Sequence, residues 1–299
     1  MNRQPLIIHS ISELLRRLGQ PKPLHPLIAL INYSDVKIGL TDAGRNFSLD
    51  FYKISFKSSF KGQVKYGQGY YDFEEGGLAF LAPNQMVTMS ADEANYEGYS
   101  LFFHPDLIRP YPLSNTIHQY GFFSYAITEA LCLSDKEKQV IAAIFEAIER
   151  ELGNNIDYYS QDVLVSQIEL LLNHSNRFYH RQFLTRKAVY HDLIGQMEAW
   201  LINRFQNENT ILPSVQEVAD RLNVSPRYLS DMLKSLTGQS TQQHIHNKLV
   251  ERAKDLLARS DSTIAEIAYG LGFEHPQSFN KLFKQKTEQS PLEFRQSFN

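Results

Sequence analysis

The chain has a single cysteine, Cys132, among its 299 residues. That excludes an internal disulfide and a cysteine-built zinc site. Long apolar runs are missing as well: no stretch approaches the roughly 20 residues a membrane-spanning helix needs. The opening segment MNRQPLIIHSISELLRRLGQPKP lacks a secretory cleavage pattern. Nor is there an excess of one charge. Lys and Arg number 30 against 33 Asp and Glu, a net of −3, and such a balance does not announce a nucleic-acid binder. Residues 210–299 hold 11 basic and 10 acidic side chains, leaving 19 and 23 for the rest. Any case for DNA must therefore rest on where individual charges sit. What remains is ordinary: 42% apolar and 21% charged residues, the composition of a globular chain of about two domains. The expectation is a cytoplasmic protein with no membrane partner.

Two halves of different character follow one another. LIALINY (27–33), LDFYKISFK (49–57), QVKYGQG (63–69), GLAFLAP (77–83) and YEGYSLFFH (96–104) are short runs rich in β-branched and aromatic residues. Glycines and polar pairs separate them, which suits an antiparallel sandwich or barrel. Over 50–56, Phe51, Lys53 and Ser55 alternate with Tyr52, Ile54 and Phe56, as in a half-buried strand. From Ser134 the period becomes helical. Ser134 and Glu137 have capping-box spacing, and Val140, Ile141, Ile144, Phe145 and Ile148 form one stripe. A second helix is predicted over 158–179, with Leu164, Val165, Ile168, Leu171 and Leu172 as its stripe. The stripes serve either the β domain or a dimer interface. RFYHRQFLTRK (177–187) reads as a connector whose positive charge is either solvated or set against phosphate.

A repeat lies in the last ninety residues. Val215, Val218, Ala219, Leu222 and Val224 recur 49 positions later as Ile264, Ile267, Ala268, Leu271 and Phe273. Leu229, Leu233 and Thr237 recur 50 positions later as Phe279, Phe283 and Thr287, so one residue is inserted between. Each copy has a Ser/Thr-x-x-Glu start (Ser214 with Glu217, Thr263 with Glu266) and a small residue where helices cross closely (Ala219, Ala268). Each also has a residue tolerant of left-handed backbone at the turn, Asn223 and Gly272. These are two helix-turn-helix units, about 214–238 and 263–288. A predicted helix over 242–259 joins them. Two recognition helices mounted one turn apart can read successive major grooves, which lie about 34 Å apart.

The stretch STIAEIAYGLGFEHPQSFNKLFKQKTEQSPLEFR closely resembles the DNA-binding signature of AraC/XylS-type bacterial transcription regulators, over roughly 195–298. The upstream strands and helices resemble that family's cupin-like sensing and dimerising domain. The resemblance implies an α+β protein: a β sandwich or barrel with dimerising helices over 1–183, a linker over 184–194, and an all-α DNA-binding domain over 195–299. It implies base-reading positions at Arg227, Ser230 and Asp231 in the first recognition helix, and at Pro276, Gln277, Asn280 and Lys281 in the second. Arg227 suits guanine, Gln277 or Asn280 adenine, and Pro276 a thymine methyl. Asp231 departs from the basic residue often found there; it either accepts from cytosine or salt-bridges an adjacent basic residue. Lys281, Lys284 and Lys286 lie in a run without acids, and Lys234 occupies a comparable edge; Lys234 and Lys284 are expected on phosphate. The implied partners are double-stranded operator DNA, a second copy of the chain, an unidentified small-molecule effector and, for an activator, RNA polymerase.

No catalytic constellation is visible, and no cofactor or metal is expected. His244 and His246 form His-x-His on a predicted helix, where i and i+2 diverge. Cys132 has no activating neighbour in sequence, and Gly67 and Gly69 suit a β-turn rather than a phosphate cradle. Tyr66, Tyr70, Tyr71, Phe73, Phe80 and Phe102 could line an effector pocket or fill the β core. Two alternatives stand beside the regulator: a cupin-like enzyme with a helical assembly tail, and a DNA-binding regulator without an effector.

Overall fold

The computed structural model describes residues 5–35, 46–59, 63–66, 69–72, 76–88, 97–155, 157–206 and 211–297. The chain divides into two compact units, Met1–Gln182 and Phe183–Asn299. In the first, the elements run β1 (Leu6–Ile8), α1 (Ile11–Arg17), β2 (Ile28–Asn32), β3 (Asn46–Leu49), β4 (Tyr52–Ser59), β5 (Gln63–Tyr66), β6 (Gly69–Asp72), β7 (Gly77–Leu81), β8 (Val87–Thr88), β9 (Glu97–Phe103), α2 (Pro105–Ile108), α3 (Leu113–Thr116), β10 (Leu131–Cys132), α4 (Asp135–Gly153) and α5 (Ser160–Thr185).

The main sheet is antiparallel, in the order β10-β7-β4-β9-β2; β1-β3-β8 and the hairpin β5-β6 form two smaller sheets. The main sheet is antiparallel as expected, while the added pair β1–β3 is parallel. In the main sheet Ile54 lies opposite Phe80 and Leu101, and Ser55 opposite Ser100. Side chains alternate between faces, so Ile54, Phe56, Phe80, Leu101 and Phe103 share one face. The helices cover it. Phe145 of α4 stacks on Phe56 and on Tyr99, with ring centroids 5.6 Å apart in each pair, and Tyr179 of α5 stacks on Phe122 at 5.5 Å. Ala29, Ile31 and Phe102 lie on the other face, in a buried cluster with Ile8, Ile11, Leu14, Leu15, Leu49 and Phe51 from β1, α1 and the β3–β4 corner. The strand read as half-buried is thus covered on both sides, because α1 and β1 supply a second layer that its own alternation does not announce. Full burial of each such side chain is worth about 1.5–3 kcal/mol.

In α4 the Ser134 backbone N–H donates to the Glu137 carboxylate at 2.9 Å, as the box predicts. Ile141, Ile144, Phe145 and Ile148 are buried, whereas Val140 is exposed at the edge of the stripe. The predicted stripe of α5 is buried. The helix continues to Thr185, because Ser175, Phe178, Tyr179 and Gln182 prolong its buried face past the arginines. Of those, Arg181 is spent inside the unit: its Nε donates to Glu137 at 3.0 Å and its Nη2 to the Cys132 carbonyl at 2.9 Å.

The second unit is helical among the described residues: α6 (Lys187–Gln206), α7 (Val215–Leu222), α8 (Pro226–Thr237), α9 (Thr241–Arg259), α10 (Ile264–Gly270), α11 (Pro276–Thr287) and α12 (Pro291–Gln296). The stretch 184–194, read as a linker, is helical on both sides of Arg186. Tyr190 within it is buried, its hydroxyl 2.9 Å from that of Tyr228 in α8. Further along α6, Arg204 meets Glu217 of α7 at 3.3 Å, and the Phe205 carbonyl accepts from Arg252 of α9 at 3.2 Å.

Candidate nucleic-acid interface

Both turns are built by the same local chemistry. Ser214 Oγ accepts from the Glu217 N–H at 3.1 Å, and Thr263 Oγ1 from the Glu266 N–H at 3.2 Å. Each leaves one fewer amide unsatisfied at a helix start. The Thr263 N–H returns to the Glu266 carboxylate at 2.7 Å, and this bond, with that of the Thr263 side chain, holds the carboxyl below its ordinary range. At the far end Asn223 takes φ 56° and Gly272 φ 90°. Asn223 N–H donates to the Asp220 carbonyl and Val224 N–H to that of Ala219; Gly272 and Phe273 repeat both bonds, to Tyr269 and Ala268, at 2.9–3.1 Å. Ala219 and Ala268 are fully buried beneath the crossing.

The recognition helices α8 and α11 have 12 residues each, and each opens on proline. Leu229, Met232 and Leu233 turn inward in α8, Phe279 and Phe283 in α11. Both helices close on a left-handed residue, Gly238 at φ 75° and Glu288 at φ 64°. Thr237 and Thr287 donate back to Leu233 and Phe283, both at 2.8 Å. Reciprocal caps follow at Ser240 with Gln243 and Ser290 with Glu293. The duplication thus runs beyond 238 and 288. Its signal in the sequence is Gly238-Gln239-Ser240 over Glu288-Gln289-Ser290, 50 positions apart.

On the outward side, Gln277, Asn280, Lys281 and Lys284 are exposed at spacings of 3, 4 and 7, one face of α11; Pro276 is half-buried in the first turn. In α8, Arg227 and Lys234 are exposed. Two of the expected base readers are engaged within the protein. Ser230 Oγ lies 2.9 Å from Oγ1 of the buried Thr241, and Asp231 Oδ2 accepts from Arg227 Nε at 2.9 Å. Lys286, part of the acid-free run, donates to Asn247 Oδ1 of α9 at 2.9 Å, and Asn247 Nδ2 donates to Gln239 Oε1 at 2.8 Å. Asn247 therefore bridges the two copies from the connecting helix, a role no local pattern marks.

His244 and His246 face different neighbours, Thr237 Oγ1 at 2.9 Å and Gln242 Nε2 at 3.2 Å. Among the described residues no three His, Cys, Asp or Glu side chains cluster as metal ligands, and no helix is long and apolar enough to cross a membrane. In the first unit, Phe80 and Phe102 are buried on opposite faces of the sheet and cannot line one pocket. The side chains of Tyr66, Tyr70 and Tyr71, and all of Phe73, lie outside the described residues. On the Phe102 face, Ser55 and Ser100 sit opposite each other, both buried, and Ser100 Oγ has no hydrogen-bond partner among the described residues.

Two family models match: an AraC-like ligand binding domain over 50–169 and a helix-turn-helix domain over 218–297. Among curated proteins, the chain is 30% identical over 149 residues to the HTH-type transcriptional activator RhaS of Klebsiella pneumoniae, covering 48% of this chain and 50% of that protein. It is 30% identical over 138 residues to RhaS of Citrobacter koseri, covering 46% of each. The chain spans about half the length of the curated relatives it matches. Among solved structures, it is similar to the C-terminal domain of AraT from Geobacillus stearothermophilus, at 28% identity and a TM-score of 0.32, covering 35% of this chain and 84% of that one.

Proposed function

This chain carries the two domains of an AraC-type transcription regulator, and we propose that it works as one: a sequence-specific DNA-binding protein, not an enzyme, acting on double-stranded operator DNA in the cytoplasm. The observation that carries the proposal is the pair of matched helix-turn-helix units, each turning one polar helix face outward. In this reading Arg227, Pro276, Gln277, Asn280 and Lys281 meet base edges, while Lys234 and Lys284 meet phosphate. Phosphate contacts fix register and base contacts supply sequence. The matched relatives are named activators, which favours activation through RNA polymerase.

The first unit is the sensing and dimerising part. Its predicted helical stripes are buried apart from Val140, so a homodimer through α5 uses the opposite face, where Val163 and Leu170 are 39% and 44% exposed. A small-molecule effector is supported by the ligand-binding-domain match and by the buried Ser100 hydroxyl, which has no partner among the described residues. The test is selection of bound fragments from a bacterial genome with the full chain, followed by footprinting. The reading expects two protected major-groove segments on one side of the duplex; protection on opposite sides overturns it. A thermal-shift screen against metabolites tests the effector, because a ligand of the native state alone raises apparent stability.

A further inference from the structure

We propose that Asp231 is a positioning residue, holding Arg227 so that the first recognition helix reads one guanine with the far end of the guanidinium. This rests on the regulator reading above and deepens it. Arg227 is the second residue of α8, directly after its proline, and Asp231 stands one turn further on the same face. Their contact joins Nε to Oδ2 at 2.9 Å, with the side chains 47% and 28% exposed. An arginine can pair side-on, through Nε and one Nη, or end-on, through both Nη groups. Guanine offers O6 and N7 as two adjacent acceptors. With Nε committed to Asp231, the end-on edge is the one left for the base. A long side chain on an exposed helix otherwise spreads over many rotamers, and ordering it before DNA arrives removes that cost from binding.

The same carboxylate repels phosphate. It therefore weakens binding to arbitrary DNA while sharpening the choice of one base pair. Ser230, the remaining expected reader on α8, is turned to Thr241. Base reading by the first copy thus concentrates in Arg227, whereas the second copy distributes it over Pro276, Gln277, Asn280 and Lys281.

The test uses the full chain and a duplex that the wild-type chain recovers from a randomised pool. Affinities are measured for that duplex, its single-base-pair variants and an unrelated duplex. Arg227→Ala identifies the base pair that Arg227 reads. Asp231→Ala, and the isosteric Asp231→Asn, should lower discrimination at that same pair by about tenfold while binding the unrelated duplex more tightly. Asp231→Glu should retain part of the discrimination. On an Arg227→Ala background, replacing Asp231 should still raise unrelated binding but no longer alter discrimination at that pair.

Lost discrimination at a different base pair, persisting without Arg227, would overturn the proposal in favour of direct acceptance from cytosine by Asp231. Tighter binding with discrimination unchanged everywhere would reduce Asp231 to a surface charge and also overturn it. If Arg227→Ala alters no base preference, the inference fails while the regulator reading stands. A wild-type chain that recovers no preferred duplex overturns both.

Discussion

Glu288 adopts φ 64° at the position where the first copy has Gly238 at φ 75°. A side chain in left-handed backbone costs on the order of 1–2 kcal/mol, so Glu288→Gly should stabilise the second unit by about 1 kcal/mol, read as a higher midpoint in urea. The outward residues of α11 divide by chemistry. Lys284→Ala should weaken binding to every sequence alike and flatten the dependence of log affinity on log salt by about 0.9, the loss of one phosphate contact. Gln277→Ala should cost about 1–3 kcal/mol at one base pair and little elsewhere. A uniform loss across all operator positions for Gln277→Ala would contradict its assignment to a base edge.

Among the elements, α8 and α11 match in length and ending but not in beginning. Ser225 Oγ accepts from the Tyr228 N–H at 3.3 Å, whereas His275 makes no side-chain cap. His275→Ser should therefore stabilise α11 by about 0.5–1 kcal/mol and slow amide exchange in its first turn. The histidines of α9 supply a pH dependence. Burial lowers both below the usual 6.5; Glu198 opposes the shift at His244 while Lys248 adds to it, and Lys286 adds to it at His246. The folded state then binds fewer protons than the unfolded one as pH falls below 6.5, so stability present above that value is lost on acidification. Urea midpoints at pH 7.5 and 5.5 should differ in that direction, and His244→Gln with His246→Gln should narrow the gap. The helix starts and turns were legible in the sequence because one residue does each job locally: Ser214 and Thr263 as caps, Asn223 and Gly272 as left-handed turns. Asn247, Arg181 and Phe51 were not, because their partners come from distant elements that no spacing along one helix or strand announces. The same limit bears on Ser230 and Asp231: the family resemblance assigns them to base reading, and only the folded unit supplies the Thr241 and Arg227 side chains that they meet.

For the whole molecule, the bridge Lys286–Asn247–Gln239 matters because it ties both copies to the connecting helix. Inserting one base pair between the two operator segments turns the second by about 35° around the duplex axis, since a turn holds 10–10.5 base pairs. Binding should drop to that of a single segment, and Asn247→Ala should soften this penalty, as measured by competition with spaced operators. The two copies share caps, turns and endings, yet Arg227 with Asp231 stands on one outward face and Gln277, Asn280 and Lys281 on the other. On the proposed reading, unlike reading heads in a fixed order give a lone chain a front and a back along its target. On that reading a single subunit's site has a heading of its own, and flipping a non-palindromic site end for end would reverse it.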